Sequence, residues 1–315
     1  GLKAGLTVAG LSKQFSFIDT QECNLPVPSC HPYWTHLSGT AQYGSVNLWP
    51  ADKKEIIFMS KTKAPVVLIA GTYCYPEVWD DMKQAFEERG YEVHAPPLRH
   101  HELPLLEGAL AMKDNSLLDY RDDFIELING LSQPPIIVGW SMGGLIAQLV
   151  AQEVEHAGLM LLAPAPAAGI FAAYPSMLRT FQHHFSRWGF WRKPLMPEWE
   201  SFFWSTGHLQ GEQLMRDAFV QLKAESGKAY FEMAMWFFDK KRASKVYPER
   251  ITTPVLVIAG SDDRIVRTPI GKTTALRFEH GKFVELFNQD HMLVTGTGLP
   301  RVMPEFDRWA QDNSL

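Results

Sequence analysis

The chain has 315 residues, of which 46% are hydrophobic and 21% charged, and a formal net charge of −5. That length allows a large core in one or two domains. The mildly acidic balance gives no electrostatic case for nucleic acid, and the longest apolar run, residues 157–173, is broken by Pro164 and Pro166 rather than continuing as a membrane span.

Residues 1–55 show no sustained periodicity and carry Pro26, Pro28, Pro32 and Pro50, so they read as an extension packed on the main domain, with a strand at 55–60. His31 and His36 lack a third ligand at metal-binding spacing, and no metal or cofactor is expected. Cys23 and Cys30 either pair across a Pro-rich loop or stay as thiols. With Cys74 they make three cysteines, too few for a disulfide framework. The chain starts with Gly, which implies a processed or truncated start. Lys3 and the apolar residues 4–11 are similar to the end of a signal peptide but lack its cleavage site. A cytoplasmic location is expected, with periplasm or secretion as the alternative.

From Pro65 the pattern is regular. A buried strand at 66–70 precedes a helix with Val78, Met82 and Phe86 on one face, which ends at Gly90. A strand at 91–95 follows. Ser116 and Asp119 form a capping-box pattern opening a helix that carries Leu117, Phe124 and Ile128. Strands at 136–138 and 159–163 flank a further helix. Buried, non-alternating strands that alternate with helices predict a mostly parallel, doubly wound α/β sheet covered on both faces.

That rhythm stops over residues 165–250, which hold nearly half of the chain's aromatic residues at helical spacings. It resumes with a strand at 254–259, a helix near 273–278, a strand at 283–287 and a last helix around 302–309. A helical insertion after the strand that follows the 145–150 helix reads as a cap over the carboxyl ends of the strands, where ligands bind. The expected division is therefore an extension over 1–55, a core from 56–164 and 251–315, and a cap over 165–250. So small a helical unit cannot bury all its rings, so some should line a cleft. Trp140, Tyr73, Phe171, Trp204 and Trp236 are the candidates. Arg187, Arg192 and Lys193 form a basic cluster among these aromatics, read as a solvated face with its stems packed on rings rather than as a site for an anion or a membrane.

Between the strand at 136–138 and the helix carrying Leu145, Ile146, Leu149 and Val150 lies Gly139-Trp140-Ser141-Met142-Gly143, a match to G-x-S-x-G. Reversal from strand to helix in so few residues strains the central residue, and glycines two before and two after permit the close approach. Ser141 would then stand exposed above a helix N-terminus, where developing negative charge is favoured. A serine nucleophile needs a base, and the base an orienting carboxylate. Two loops leaving the same sheet edge offer them: Gly260-Ser261-Asp262-Asp263-Arg264 and Asn288-Gln289-Asp290-His291-Met292.

With these motifs in the order Ser, acid, His, the chain resembles the α/β-hydrolase family from about Pro65 to its end. The resemblance implies that fold, with a helical cap, and a catalytic triad of Ser141, Asp263 and His291. The family's acid lies three residues after the loop glycine, which points to Asp263 over Asp262. Asp290 stands where the family usually has Gly, and a carboxylate there could lie close to the imidazole and raise its pKa. The oxyanion hole would use the backbone N–H of Met142 and of Thr72. Gly71 and Trp79 keep the family's spacing, although the family's His-Gly pair is here Ala70-Gly71, which removes a bracing side chain and no donor. His100-His101 falls where the family has an Arg-Gly-His-Gly-like loop, and His183-His184 in the cap. Cys74 reads as a lining residue.

Ser141 argues against dehalogenase and epoxide hydrolase relatives, which carry Asp there, and Trp140 against carbon–carbon hydrolases, which commonly carry Asn. Gly-Trp-Ser-Met-Gly-Gly is similar to small-molecule carboxylesterases, and a small-molecule ester is the expected partner. A carbon–carbon hydrolase, a lysophospholipase-like lipase, a cofactor-free oxygenase and a non-catalytic binder are the alternatives.

Overall fold

The computed structural model describes residues 63–315, so the readings of the extension, the 55–60 strand, Cys23, Cys30, His31 and His36 lie outside the described residues. The first apolar run forms β1 (Val66–Ile69), buried at every position. After a short 3-10 turn comes α1 (Asp80–Glu87), which buries Met82 and Phe86. The next strand, β2 (Val93–His94), is only two residues long and half-buried, shorter than the 91–95 run suggests. Then α2 (Leu105–Met112) occupies a stretch with no legible helical face. It buries only Gly108 and Met112, while Leu105, Leu106 and Leu110 are exposed. α3 (Leu117–Asn129) opens on the capping box: Ser116 Oγ accepts from Leu118 N–H at 3.2 Å, and Asp119 Oδ2 accepts from Ser116 N–H at 2.8 Å.

The centre of the molecule is β3 (Ile136–Trp140), α4 (Met142–Ala151) and β4 (Gly158–Leu162), all three buried throughout. The aromatic-rich stretch then folds as α5 (Pro175–Phe185), β5 (Pro194–Leu195), α6 (Trp199–Thr206), α7 (Glu212–Phe219), β6 (Glu225–Ser226) and α8 (Gly227–Ala234). β5 and β6 pair antiparallel, a small ribbon that the helical spacings hid. The core returns with β7 (Val255–Gly260), α9 (Thr268–Ala275), β8 (Gly281–Leu286) and α10 (Leu299–Asn313). α9 starts five residues earlier than the apolar spacing indicates, at Thr268-Pro269, since proline suits a first helical turn.

The six core strands are parallel throughout, in the order β2-β1-β3-β4-β7-β8. Val138 lies opposite Leu68 on one side and Met160 on the other. From β1 the chain first moves outward to β2 and then returns to β3 on β1's other side. That change of direction opens a crevice at the carboxyl ends of β1 and β3, where ligands bind in open α/β sheets.

The β3–α4 reversal fits there only because of its glycines. A Cβ on Gly143 would stand 2.1 Å from the Ile69 carbonyl oxygen, and one on Gly139 2.3 Å from the Gly143 oxygen. Backbone cannot yield as a flexible side chain can. Gly143→Ala should therefore destabilise the fold by about 3 kcal/mol or more, read by urea unfolding. Gly211→Ala, where a Cβ meets nothing within 4 Å and only the helix N-cap preference of Gly over Ala is lost, should cost about 1 kcal/mol or less. Equal stabilities for the two variants would contradict this packing.

Candidate active site

Ser141 sits at the turn from β3 into α4 with φ 56° and ψ −121°. Positive φ is unusual for a residue with a Cβ and costs on the order of 1–3 kcal/mol, so the surroundings must hold it. They do so through the backbone. Ser141 N–H donates to Leu162 O at 2.9 Å, and Ser141 O accepts from Gly144 N–H at 2.9 Å and Ala165 N–H at 2.8 Å. The elbow is thus pinned to the end of β4. The residue borders two cavities, and its hydroxyl makes no hydrogen bond to a described residue.

The loops after β7 and β8 bring Asp263 and His291 together. His291 Nδ1 donates to Asp263 Oδ2 at 2.6 Å, with the carboxylate fully buried and the imidazole nearly so. The other oxygen, Asp263 Oδ1, accepts from Ile265 N–H at 2.7 Å and Val266 N–H at 2.8 Å, so the carboxylate is fixed from both sides. Asp262 is exposed and takes only the Ser261 hydroxyl, at 2.6 Å. Of the two adjacent acids, Asp263 alone reaches the imidazole. With Nδ1 as donor, Nε2 is left as the basic nitrogen. Trp140, read from sequence as a lining residue, has a second contact: its Nε1–H donates to His291 O at 3.0 Å. A side chain adjacent to Ser141 thereby holds the histidine loop.

Asp290, which the sequence allowed to lie close to the imidazole, takes its hydrogen bonds from other groups. Oδ2 accepts from Leu209 N–H at 2.8 Å, and Oδ1 from Gln210 Nε2 at 2.8 Å, Gln289 Nε2 at 3.1 Å and Met292 N–H at 3.2 Å. A fully buried carboxylate needs such donors. Here they tie the turn between α6 and α7 to the histidine loop.

On the β1 side, the loop after Ala70 carries Thr72, whose N–H has no acceptor among the described residues. Met142 is the first residue of α4, so its N–H is also free of the helix ladder. The loop is braced where the family histidine is missing. His101 Nδ1 bonds Cys74 O at 2.7 Å, and Lys223 N–H donates to Tyr73 O at 2.9 Å. Side chains extend the brace: Thr72 Oγ1 bonds Tyr230 OH at 3.0 Å, and Tyr73 OH bonds His184 Nε2 at 3.1 Å. Burial pushes the His184 pKa down to about 4, with repulsion from His183 and Arg187 adding to it, so the ring is neutral near pH 7. Burial also pushes the Cys74 thiol well up, which removes it as a thiolate nucleophile.

Ser141 and Thr72 lie at the junction of two cavities. One, of about 310 Å³, also reaches Tyr73, Cys74, Trp140, His184 and His291. The other, of about 510 Å³, takes in Met142, Ile170, Phe171, Met233 and Trp236 and is mostly apolar. Four of the five lining candidates, Trp140, Tyr73, Phe171 and Trp236, therefore border these spaces. Trp204 does not. The guanidinium groups of Arg179 and Arg264 both lie over its ring, 4.1 and 4.8 Å from the centroid, so the ring is engaged by cation–π contacts. Arg187, Arg192 and Lys193 are exposed and border neither. Among the described residues no group of three His, Cys, Asp or Glu side chains is placed to hold a metal ion.

Residues 66–297 match the alpha/beta hydrolase family. No curated protein matches the sequence significantly. Among solved structures, the chain is similar to a methylesterase from Arabidopsis at 12% identity and TM-score 0.61, covering 79% of this chain and 99% of that one. A thermophilic esterase from Thermogutta terrifontis matches at 18% identity and TM-score 0.58, covering 80% and 91%. A hydrolase from Oleispira antarctica matches at 16% identity and TM-score 0.59, covering 79% and 91%. At such identities the likeness carries the fold alone.

The lowered pKa of His184 has a thermodynamic sign. Between about pH 4 and 6.5 the unfolded chain binds the His184 proton and the folded one does not, so stability rises with pH across that window and is lost as pH falls through it. His184→Gln should make the pH dependence of unfolding shallower there, with His156 and His208, also lowered by burial, keeping part of the slope. Urea unfolding at a series of pH values checks this, and an unchanged slope would contradict it.

Proposed function

Because the chain belongs to the alpha/beta hydrolase family, we propose that it is a serine hydrolase that cleaves small to medium carboxylic esters through an acyl-enzyme. Ser141 Oγ attacks the ester carbonyl while His291 Nε2 takes its proton. Asp263 holds the imidazole in that tautomer and stabilises the imidazolium. The tetrahedral oxyanion sits against the N–H groups of Thr72 and Met142. Collapse expels the alcohol, which takes the proton from His291, and water then repeats the sequence on the acyl-serine. The observation that carries this reading is the buried 2.6 Å contact of His291 with Asp263 beside a serine held at positive φ.

In this reading residues 165–250 act as a cap, and the two cavities divide the ester between them. The larger, apolar one takes the acyl chain. The smaller one, lined by Tyr73, His184 and Ser205, takes the alcohol part.

Ser141→Ala should lower kcat on a p-nitrophenyl ester by about 10⁴-fold or more with the fold intact. Asp263→Asn should lower it by about 10⁴-fold by leaving the imidazole in the wrong tautomer, whereas Asp262→Asn should change it little. A reversed order for the two aspartates would refute the assignment. Across an acyl series, kcat/KM should climb about fourfold per methylene, from ~0.8 kcal/mol of burial each, until the groove is full. A flat series from acetate to decanoate would mean that the groove does not select.

A further inference from the structure

The apolar groove leads out to a rim that is unusual for a protein surface. Phe171, Leu178, Trp236 and Phe237 all line it, and they are 68%, 51%, 38% and 59% exposed. Phe238 extends the rim, 68% exposed, with its ring 4.5 Å from that of Phe237. Exposed contiguous apolar surface at this density marks an interaction site rather than ordinary scatter.

The chain next to these rings is basic. Lys240, Lys241 and Arg242 are exposed, and none forms an ion pair among the described residues. The neighbouring acid offsets one of these three charges and leaves the spot net positive. Asp239 spends its carboxylate on the backbone, accepting from Lys241 N–H at 3.0 Å and Ala243 N–H at 2.6 Å. Those bonds hold the turn that presents the three cations. A cationic spot beside aromatic rings thus stands out on a chain of net charge −5.

We propose that this rim, Phe171, Leu178 and 236–238 with Lys240, Lys241 and Arg242, docks on an anionic lipid bilayer, from which the groove takes an acyl chain. Aromatic and leucine side chains partition into the headgroup–acyl boundary, and lysine and arginine beside them pair with anionic headgroups. A protein partner with an acidic face would satisfy the charges, but it would not use an apolar groove running inward to Ser141. A lipid with an anionic headgroup and an acyl chain uses both. No helix among the described residues is long and apolar enough to cross a membrane, and the proposed docking is through this surface. Docking stands independently of the esterase reading, whereas delivery of an ester to Ser141 rests on it.

Flotation of the full chain with vesicles tests the proposal. The protein should float with vesicles of equal parts phosphatidylcholine and phosphatidylglycerol, far less with phosphatidylcholine alone, and should be released as ionic strength rises. Replacing Lys240, Lys241 and Arg242 together by Ser should weaken attachment about a hundredfold, at roughly fivefold per cation. Phe238→Ser should weaken it at every salt concentration, while Leu276→Ala, an exposed leucine at the end of α9, should leave it unchanged. The triple variant should keep its turnover of a soluble short ester and lose turnover of a long-chain ester carried in the mixed vesicles. Lack of flotation by the wild-type chain, or equal flotation by the triple variant, overturns docking. A concentration-dependent dimer abolished by Phe238→Ser, without flotation, would assign the rim to a second copy and overturn it too. Flotation without turnover of any ester would leave docking standing and remove the esterase reading.

Discussion

Between β3 and α4 the chain reverses around a single serine, and it does so in contact with two other strands. The α4 backbone at Gly143 lies against the Ile69 carbonyl at the end of β1, closer than any side chain would permit. Ser141 itself is bonded to Leu162 at the end of β4 and to Ala165 just beyond it. Three parallel strands therefore converge on one turn, and the strain of positive φ at Ser141 is borne by the sheet as a whole. The loop after β1 inherits its position from the same contact, as does the histidine loop through the Trp140 bond to His291 O. Loosening the reversal would displace each of them together.

The helical insertion is joined to this centre by buried polar bonds rather than by a hinge alone. Asp290 holds the α6–α7 turn, Tyr230 and His184 reach the loop carrying Thr72 and Tyr73, and Glu232 accepts at 2.8 Å from Ser116 Oγ and Leu117 N–H at the start of α3. Burial raises the Glu232 pKa against those stabilising donors. Such contacts require fixed geometry because an unpaired buried group is costly. The Tyr73–His184 bond fixes the wall of the smaller cavity and the Thr72–Tyr230 bond one side of the larger, whose other walls are mostly apolar side chains that can repack without losing hydrogen bonds.

The parallel core was legible because its four central strands are buried on both faces and so appear as uninterrupted apolar runs, as at Val66–Ile69 and Val255–Gly260, whereas the edge strands β2 and β8 are only partly buried. The elbow was legible because steric demand leaves a local trace in Gly139 and Gly143. Asp263, His291 and the Thr72 loop came from the family resemblance laid over loops at one sheet edge. What escaped was made of contacts between residues far apart in the chain. Thr72 and Tyr230 are 158 positions apart, Tyr73 and His184 are 111, and no local pattern announces either pair. Asp290 is a related case: adjacency to His291 in sequence says nothing of which donors a carboxylate takes, and here they are Leu209, Gln210, Gln289 and Met292. Trp204 was placed in the cleft because it is aromatic, but two arginines captured its ring. α2 went unseen because its leucines face outward and leave no buried stripe.

The central claim is that Ser141 is activated as a nucleophile by His291. Peptide mapping by mass spectrometry after exposure to a serine-directed fluorophosphonate tests it most directly. The account predicts one covalent adduct, on the peptide carrying Ser141, formed at a rate that collapses in His291→Ala while a folded-state circular dichroism spectrum persists. An adduct on another residue, or labelling of Ser141 that proceeds as fast without His291, would contradict it.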